Sequence, residues 1–177
     1  SLVVEIFVRN HAGAAMNHFC TQVINLGRTP QRFDGLVNTP VYRGSTIVVD
    51  NFKEWEDHKQ NGGVYKHYGR FGAATAKSFE SAINALEGGA GCMVFPSGLS
   101  ACTHALMAFV AAGDHVLIAD NIYGPTRSFA DSMLPKLGIH VEYFNSCDLD
   151  ELNNKINQKT SVVFVESPGS ITFEISD

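Results

Sequence analysis

Short apolar runs alternate with amphipathic stretches through the second half of the chain. Residues 115–119 (HVLIA), 140–144 (HVEYF) and 161–166 (SVVFVE) are nearly continuous in apolar positions, a pattern that predicts strands buried on both faces. A further run, 92–95 (CMVF), reads the same way. Between these runs the apolar positions fall at helical spacing and predict helices over 99–111, 126–137 and 148–157. Another helix is predicted over 75–87, with Phe79, Ala82, Ile83 and Leu86 on one face, Thr75 as its cap and Gly88-Gly89 as its stop. Alternation of strand and helix implies right-handed parallel crossovers. The expected fold is therefore α/β: three layers, α/β/α, around a mostly parallel sheet.

The first part of the chain is less regular. Residues 21–46 read as loop, punctuated by Gly27, Pro30, Gly35 and Pro40. Residues 46–49 predict a short strand, and 53–60 a short polar helix stopped by Asn61-Gly62-Gly63. Residues 1–16 show no clear periodicity and are expected to be a leader, with Met16 as a candidate native start. The expected organisation is a leader over 1–16, an extended N-terminal arm over 17–74 and the first part of an α/β domain over 75–177.

Composition narrows the partners. A formal charge of −5 over 177 residues argues against a nucleic-acid surface. No apolar stretch approaches membrane-spanning length, and the start of the chain lacks a secretory pattern. Cys20, Cys92, Cys102 and Cys147 are scattered without a C-x-x-C pair, so a reduced, cytoplasmic setting is expected. His11, His18, His58, His104, His115 and His140 show no metal-ligand spacing with acidic or sulfur partners, and no metal is expected. Neither G-x-G-x-x-G nor G-x-x-x-x-G-K-[ST] occurs, which removes support for a nucleotide-binding domain.

In parallel sheets ligands bind beyond the carboxyl ends of the strands. Pro96, Asp120 and Ser167 fall at those ends, so three loops are expected to converge there. The first is the turn Ser97-Gly98-Leu99, where small residues open a helix whose unpaired N–H groups suit a phosphate. The second carries Tyr123, and the third runs from Glu166 to Asp177. Taken singly, Ser97-Gly98 reads as a structural turn, Tyr123 as a packing aromatic, Asp177 as a solvated carboxylate and Arg70 as a surface cation. Taken together, a phosphate cradle, a stacking ring and a carboxylate are what a pyridoxal phosphate site needs.

Four segments carry a family resemblance: 68–75 (YGRFGAAT), 86–98 (LEGGAGCMVFPSG), 113–118 (GDHVLI) and 166–171 (ESPGSI). In this order they resemble the Cys/Met-metabolism family of fold-type I pyridoxal phosphate enzymes, over about residues 20–177. The resemblance implies that Gly98 and Leu99 present backbone N–H groups to the cofactor phosphate. It implies that Tyr123 stacks on the pyridine ring at the catalytic centre and that Asp177 keeps the ring nitrogen protonated. Tyr68 and Arg70 would reach the phosphate of a neighbouring subunit, within a homotetramer of catalytic dimers.

The chemistry so implied is β-elimination from cystathionine, giving homocysteine, pyruvate and ammonia in methionine biosynthesis. Ser170 stands where many γ-synthases and γ-lyases of the family carry Asn, which favours the β-lyase branch. A γ-lyase or γ-synthase is the alternative, and a non-catalytic truncated product a third reading. The resemblance implies that the cofactor-anchoring lysine lies beyond the aspartate matched by Asp177, and none of the lysines at 53, 59, 66, 77, 136, 155 and 159 matches its motif. The chain is therefore expected to be the N-terminal portion of a longer enzyme and inactive alone.

Overall fold

The computed structural model describes residues 19–60 and 68–176. These fall into two compact units that divide between Val94 and Phe95. The expectations for residues 1–16, for the helix stop at 61–63 and for Asp177 lie outside the described residues.

The C-terminal unit runs α4 (Gly98–Ala108), β1 (His115–Ala119), α5 (Gly124–Ser132), β2 (His140–Phe144), α6 (Leu149–Lys155) and β3 (Thr160–Phe164). β1 and β2 occupy the predicted residues, and β3 begins one residue early. The helix predicted over 126–137 stops at Ser132, and a 3-10 turn over Pro135–Leu137 follows it. Pro135 has no N–H with which to continue the α-helical ladder.

All the pairing is parallel, in the order β2–β1–β3, and His115 faces His140 at the start of the β1–β2 register. Two histidines without ligand spacing along the chain are thus neighbours in space. The crossover from β1 to β2 runs one way across the sheet, and that from β2 to β3 runs back. Right-handed connections then put α5 and α6 on opposite faces, which gives the three layers.

Burial singles out the central strand. Every residue of β1 is buried, and Val116, Leu117, Ile118 and Ala119 pack with Leu106 of α4, Ala130 of α5, Leu134, Ile139 and Phe144. β2 and β3 keep partly exposed positions, so burial on both faces, expected for all the strands, holds for β1 alone. A strand with pairing on both sides and helices above and below has no route to water, whereas the outer strands, among the described residues, pair on one side only. The run 92–95 forms no strand. A strand exists only within a ladder, and the Val94 N–H donates instead to the Glu80 carboxylate at 3.2 Å.

The N-terminal unit is built from α1 (Phe19–Asn25), α2 (Phe52–Gln60) and α3 (Ala74–Glu87), with 3-10 turns at Pro30–Arg32 and Gly69–Phe71. α1 lies in a segment expected to be loop. The strand expected at 46–49 reduces to one antiparallel bridge between Thr46 and Tyr68. Thr75 does not cap α3, since Ala73 holds that position. Its hydroxyl donates to the Pro40 carbonyl at 2.7 Å and accepts the Tyr42 N–H at 2.8 Å, binding the 40–42 segment to the helix. Gly88 ends α3 in the left-handed conformation at φ 67°, as its sequence position predicts. Among the described residues no helix is long and apolar enough to cross a membrane.

Candidate functional site

The site is built at the carboxyl edge of the sheet, where β1 and β3 release their chains side by side. The loop after β1 carries Asp120, Asn121 and Tyr123, and the loop after β3 carries Glu166 and the cis Ser167–Pro168 peptide. The two loops are joined by backbone and side-chain bonds. The Tyr123 N–H donates to Glu166 Oε2 at 2.9 Å, Asn121 Nδ2 donates to the Glu166 carbonyl at 3.3 Å, and the Ser170 N–H donates to the Asn121 carbonyl at 2.8 Å. Gly169 fits closely against this joint, because a Cβ there would lie 2.4 Å from Asn121 Nδ2. The tail is held as well, by the Ser176 N–H on Ser167 Oγ at 3.1 Å.

Two helices begin at the same edge. Ser97 caps α4 in extended backbone, accepting the Ser100 N–H on its Oγ at 3.1 Å and the Ala101 N–H on its carbonyl at 3.0 Å. The N–H groups of Gly98 and Leu99 donate to no group among the described residues. Neither α4 nor α5 has an acidic residue in its first turn. α6 shows what the alternative looks like: Asp148 caps it, and Asp150 and Glu151 neutralise its first turn. The start of α5 has the Glu166 carboxylate on its capping Tyr123 N–H, but the positive end of α4 carries no internal anion among the described residues, and that is the condition under which a helix start accepts a phosphate.

Cys102 fastens these parts together. It is buried in the first turns of α4, beside the Thr126 hydroxyl on α5 and within electrostatic reach of Glu166. Burial pushes its thiol above the ordinary range; the Thr126 hydroxyl offsets this in part, and the Glu166 charge adds to it. Asn121 Oδ1 is buried with no hydrogen-bond partner among the described residues, and Thr126 Oγ is buried with only the Cys102 thiol beside it.

Tyr123 stands at the start of α5 with its side chain half exposed, free to take a flat partner. Arg127 is already engaged: it donates to the Asp120 carbonyl at 2.9 Å and stacks over the Tyr143 ring at 3.9 Å. Of the residues predicted from sequence, Gly98, Leu99 and Tyr123 belong to this edge. Tyr68 and Arg70 belong to the N-terminal unit, where the Arg70 guanidinium lies 5.8 Å from the Tyr68 ring and 4.8 Å from that of Phe71. Gly69 makes that corner possible, since its N–H bonds the Ser45 carbonyl at 2.7 Å and a Cβ would meet Gly44 O at 2.1 Å.

Sequence reasoning missed Asn121, Thr126 and Glu166 as parts of the site. The available signal was their place, two residues past a strand end for Asn121 and Glu166 and on the first turn of the following helix for Thr126.

The family model described as Cys/Met metabolism PLP-dependent enzyme matches residues 20–177. A candidate cystathionine beta-lyase of Rhizobium johnstonii is 40% identical over 157 residues, covering 89% of this chain and 39% of that protein. Cystathionine beta-lyase MetC of Escherichia coli is 38% identical over 160 residues, 89% of this chain and 40% of the relative. Among solved structures, a candidate O-acetylhomoserine (thiol)-lyase of Campylobacter jejuni superposes with a TM-score of 0.83 at 25% identity, over 92% of this chain and 40% of that one. That structure holds a pyridoxyl-lysine phosphate. The chain spans about two fifths of the length of these relatives.

Proposed function

The chain belongs to the Cys/Met metabolism family of PLP-dependent enzymes, and we propose that it forms the cofactor-gripping part of a carbon–sulfur lyase that cleaves cystathionine to homocysteine, pyruvate and ammonia. The observation that carries this reading is the uncompensated start of α4 beside the joined loops after β1 and β3. Such an edge fits pyridoxal phosphate: free N–H donors for an anion, a half-exposed ring, and a buried amide oxygen without a partner among the described residues.

When bound, the cofactor supplies an electron sink for the carbon next to the substrate amine. The chain's own residues grip and orient it. Gly98 and Leu99 donate their N–H groups to the phosphate. Tyr123 offers its ring face, held at a fixed height because its N–H is anchored on Glu166. Asp177 pairs with the pyridine nitrogen and keeps it protonated. Tyr68 and Arg70 reach the site of a neighbouring subunit, where the planar guanidinium fork suits phosphate oxygens. This arrangement needs the chain to work in a homotetramer of catalytic dimers. A cytoplasmic setting, methionine biosynthesis and a division into an arm over 17–74 and a cofactor domain from 75 complete the reading.

β-cleavage is favoured over γ-cleavage by Ser170 and by the beta-lyase names of the relatives cited. The test is a product assay on cystathionine with the full-length protein loaded with pyridoxal phosphate. Pyruvate as the main keto acid is the expected result. 2-Oxobutyrate as the main product would move the protein to the γ branch, and no keto acid from either would remove the lyase reading.

A further inference from the structure

At the opposite, amino-terminal edge of the same sheet a second set of donor side chains gathers. Parallel pairing sets His115, first in β1, beside His140, first in β2. Their rings lie 5.1 Å apart and tilt by 33°. Glu142 follows His140 by two residues and so shares its face of the strand. Glu142 Oε2 is 3.4 Å from His115 Nε2, and one donor atom from each of the three residues lies within 4.8 Å of the other two.

His115 is prepared in a way a mere surface histidine is not. The residue is 3% exposed. Its Nδ1 is 2.9 Å from Thr160 Oγ and 3.0 Å from Asn157 Nδ2. Its Nε2 is buried and has no hydrogen-bond partner among the described residues. Asn157 Nδ2 donates to Nδ1, so in the empty site the ring proton is on Nε2, toward Glu142; a cation takes Nε2 when that proton passes to Nδ1, which then donates to the Thr160 hydroxyl as the Asn157 amide moves aside.

We propose that His115 Nε2, His140 and Glu142 form a binding site for a divalent transition-metal cation of the zinc class. Two imidazoles and one carboxylate are borderline donors, suited to zinc and poorly suited to magnesium or calcium. Tetrahedral zinc with bonds of about 2.1 Å separates its ligands by about 3.4 Å, which is the Nε2–Oε2 distance already present. His140 is exposed, so its ring closes the set by a rotamer change with a path from solvent. Thr160 supplies the outer partner that fixes a metal-binding imidazole. Lys155 lies 3.5 Å from Glu142 Oε1, leaving Oε2 for the metal, and its charge is shared with Glu151 Oε1 at 2.7 Å. The site lies at the far end of β1 from the candidate cofactor site and does not depend on it. A bound ion would clamp β1 to β2 where the ladder begins.

The chain is titrated with Zn²⁺ by calorimetry and with Co²⁺ by visible absorption. Cys20 and Cys147 are exposed thiols, so the titrations use the Cys20→Ser, Cys147→Ser background. The expected result is saturable uptake of one ion per chain, a Co²⁺ spectrum without thiolate charge transfer, and a zinc-induced shift of the His115 Nε2 resonance. His140→Ala and Glu142→Gln, both away from the core, should each weaken binding by roughly tenfold or more. Absence of saturable binding, or affinity unchanged in both variants, overturns the proposal. So does binding without movement of the His115 resonance.

Discussion

The two units of this chain are held together by different physics. The C-terminal unit keeps its oil inside: Leu106, Val116, Leu117 and Leu134 are fully buried around one central strand. The N-terminal unit has no buried hydrophobic residue among those described, and its one buried side chain is the carboxylate of Glu80, paired with Lys77 at 2.6 Å. Its apolar groups face outward, with Val48 at 86%, Val41 at 71% and Phe52 at 68% exposure. It is organised instead by specific polar and backbone contacts: Thr75 to Pro40 and Tyr42, Gly69 to Ser45, Thr39 to Ser78. The C-terminal unit buries its apolar surface, whereas the described residues of the N-terminal unit leave much of theirs exposed.

Paired truncations break this comparison most sharply. Leu117→Ala empties part of the core around β1 and should cost about 2–5 kcal/mol by chemical denaturation. Val48→Ala in the same assay should stay within about 0.5 kcal/mol. Comparable costs would mean that the N-terminal apolar groups already support folding within the chain. A smaller effect is expected from Gly69→Ala. The new methyl would press on the Gly44 carbonyl and should cost about 1–3 kcal/mol, with exchange protection lost first at the Gly69 N–H. A silent Gly69→Ala would show that this corner is not held by backbone fit.

The smallest effect concerns pH and belongs to the C-terminal unit. Tyr143 is partly buried and donates its hydroxyl to Asp131 Oδ1 at 2.6 Å, and together these hold its phenol well above the usual range, with burial the larger cause. A phenol with a raised folded-state pKa contributes fully below the unfolded value of about 10 and loses that contribution as pH rises beyond it. Stability should therefore decline above about pH 10, and Asp131→Asn should soften that decline. A denaturation series from pH 8 to 11 with identical slopes for both proteins would remove the interaction from the account.

The sequence was most legible where burial and turn chemistry agreed. β1 and β2 were read to the residue, because each apolar run is bounded by turn residues and lies within the sheet. The run 92–95 is equally apolar and failed as a strand, since pairing depends on a neighbour that composition does not name. Thr75 had the chemistry of a cap, but tertiary structure claimed its hydroxyl for the 40–42 segment. α1 was missed because none of its residues is buried. In the candidate site, Tyr123 follows the end of β1 as its place in the sequence predicts, whereas Gly98 and Leu99 open α4 without the strand expected before them. Glu166 and Asn121 were missed because their part is to join two loops 45 residues apart, and that is visible only once β1 and β3 are paired. The His115–His140 contact escaped for the same reason.

The burial of Cys102 has a practical reach. A thiol shut between the first turns of two helices, in a molecule whose Cys20 and Cys147 are open, turns alkylation into a stopwatch. With the partly exposed Cys92 replaced by serine, maleimide consumes the open pair at the chemical rate, and the delay before Cys102 is labelled measures how often α4 and α5 part at the edge that would hold the coenzyme.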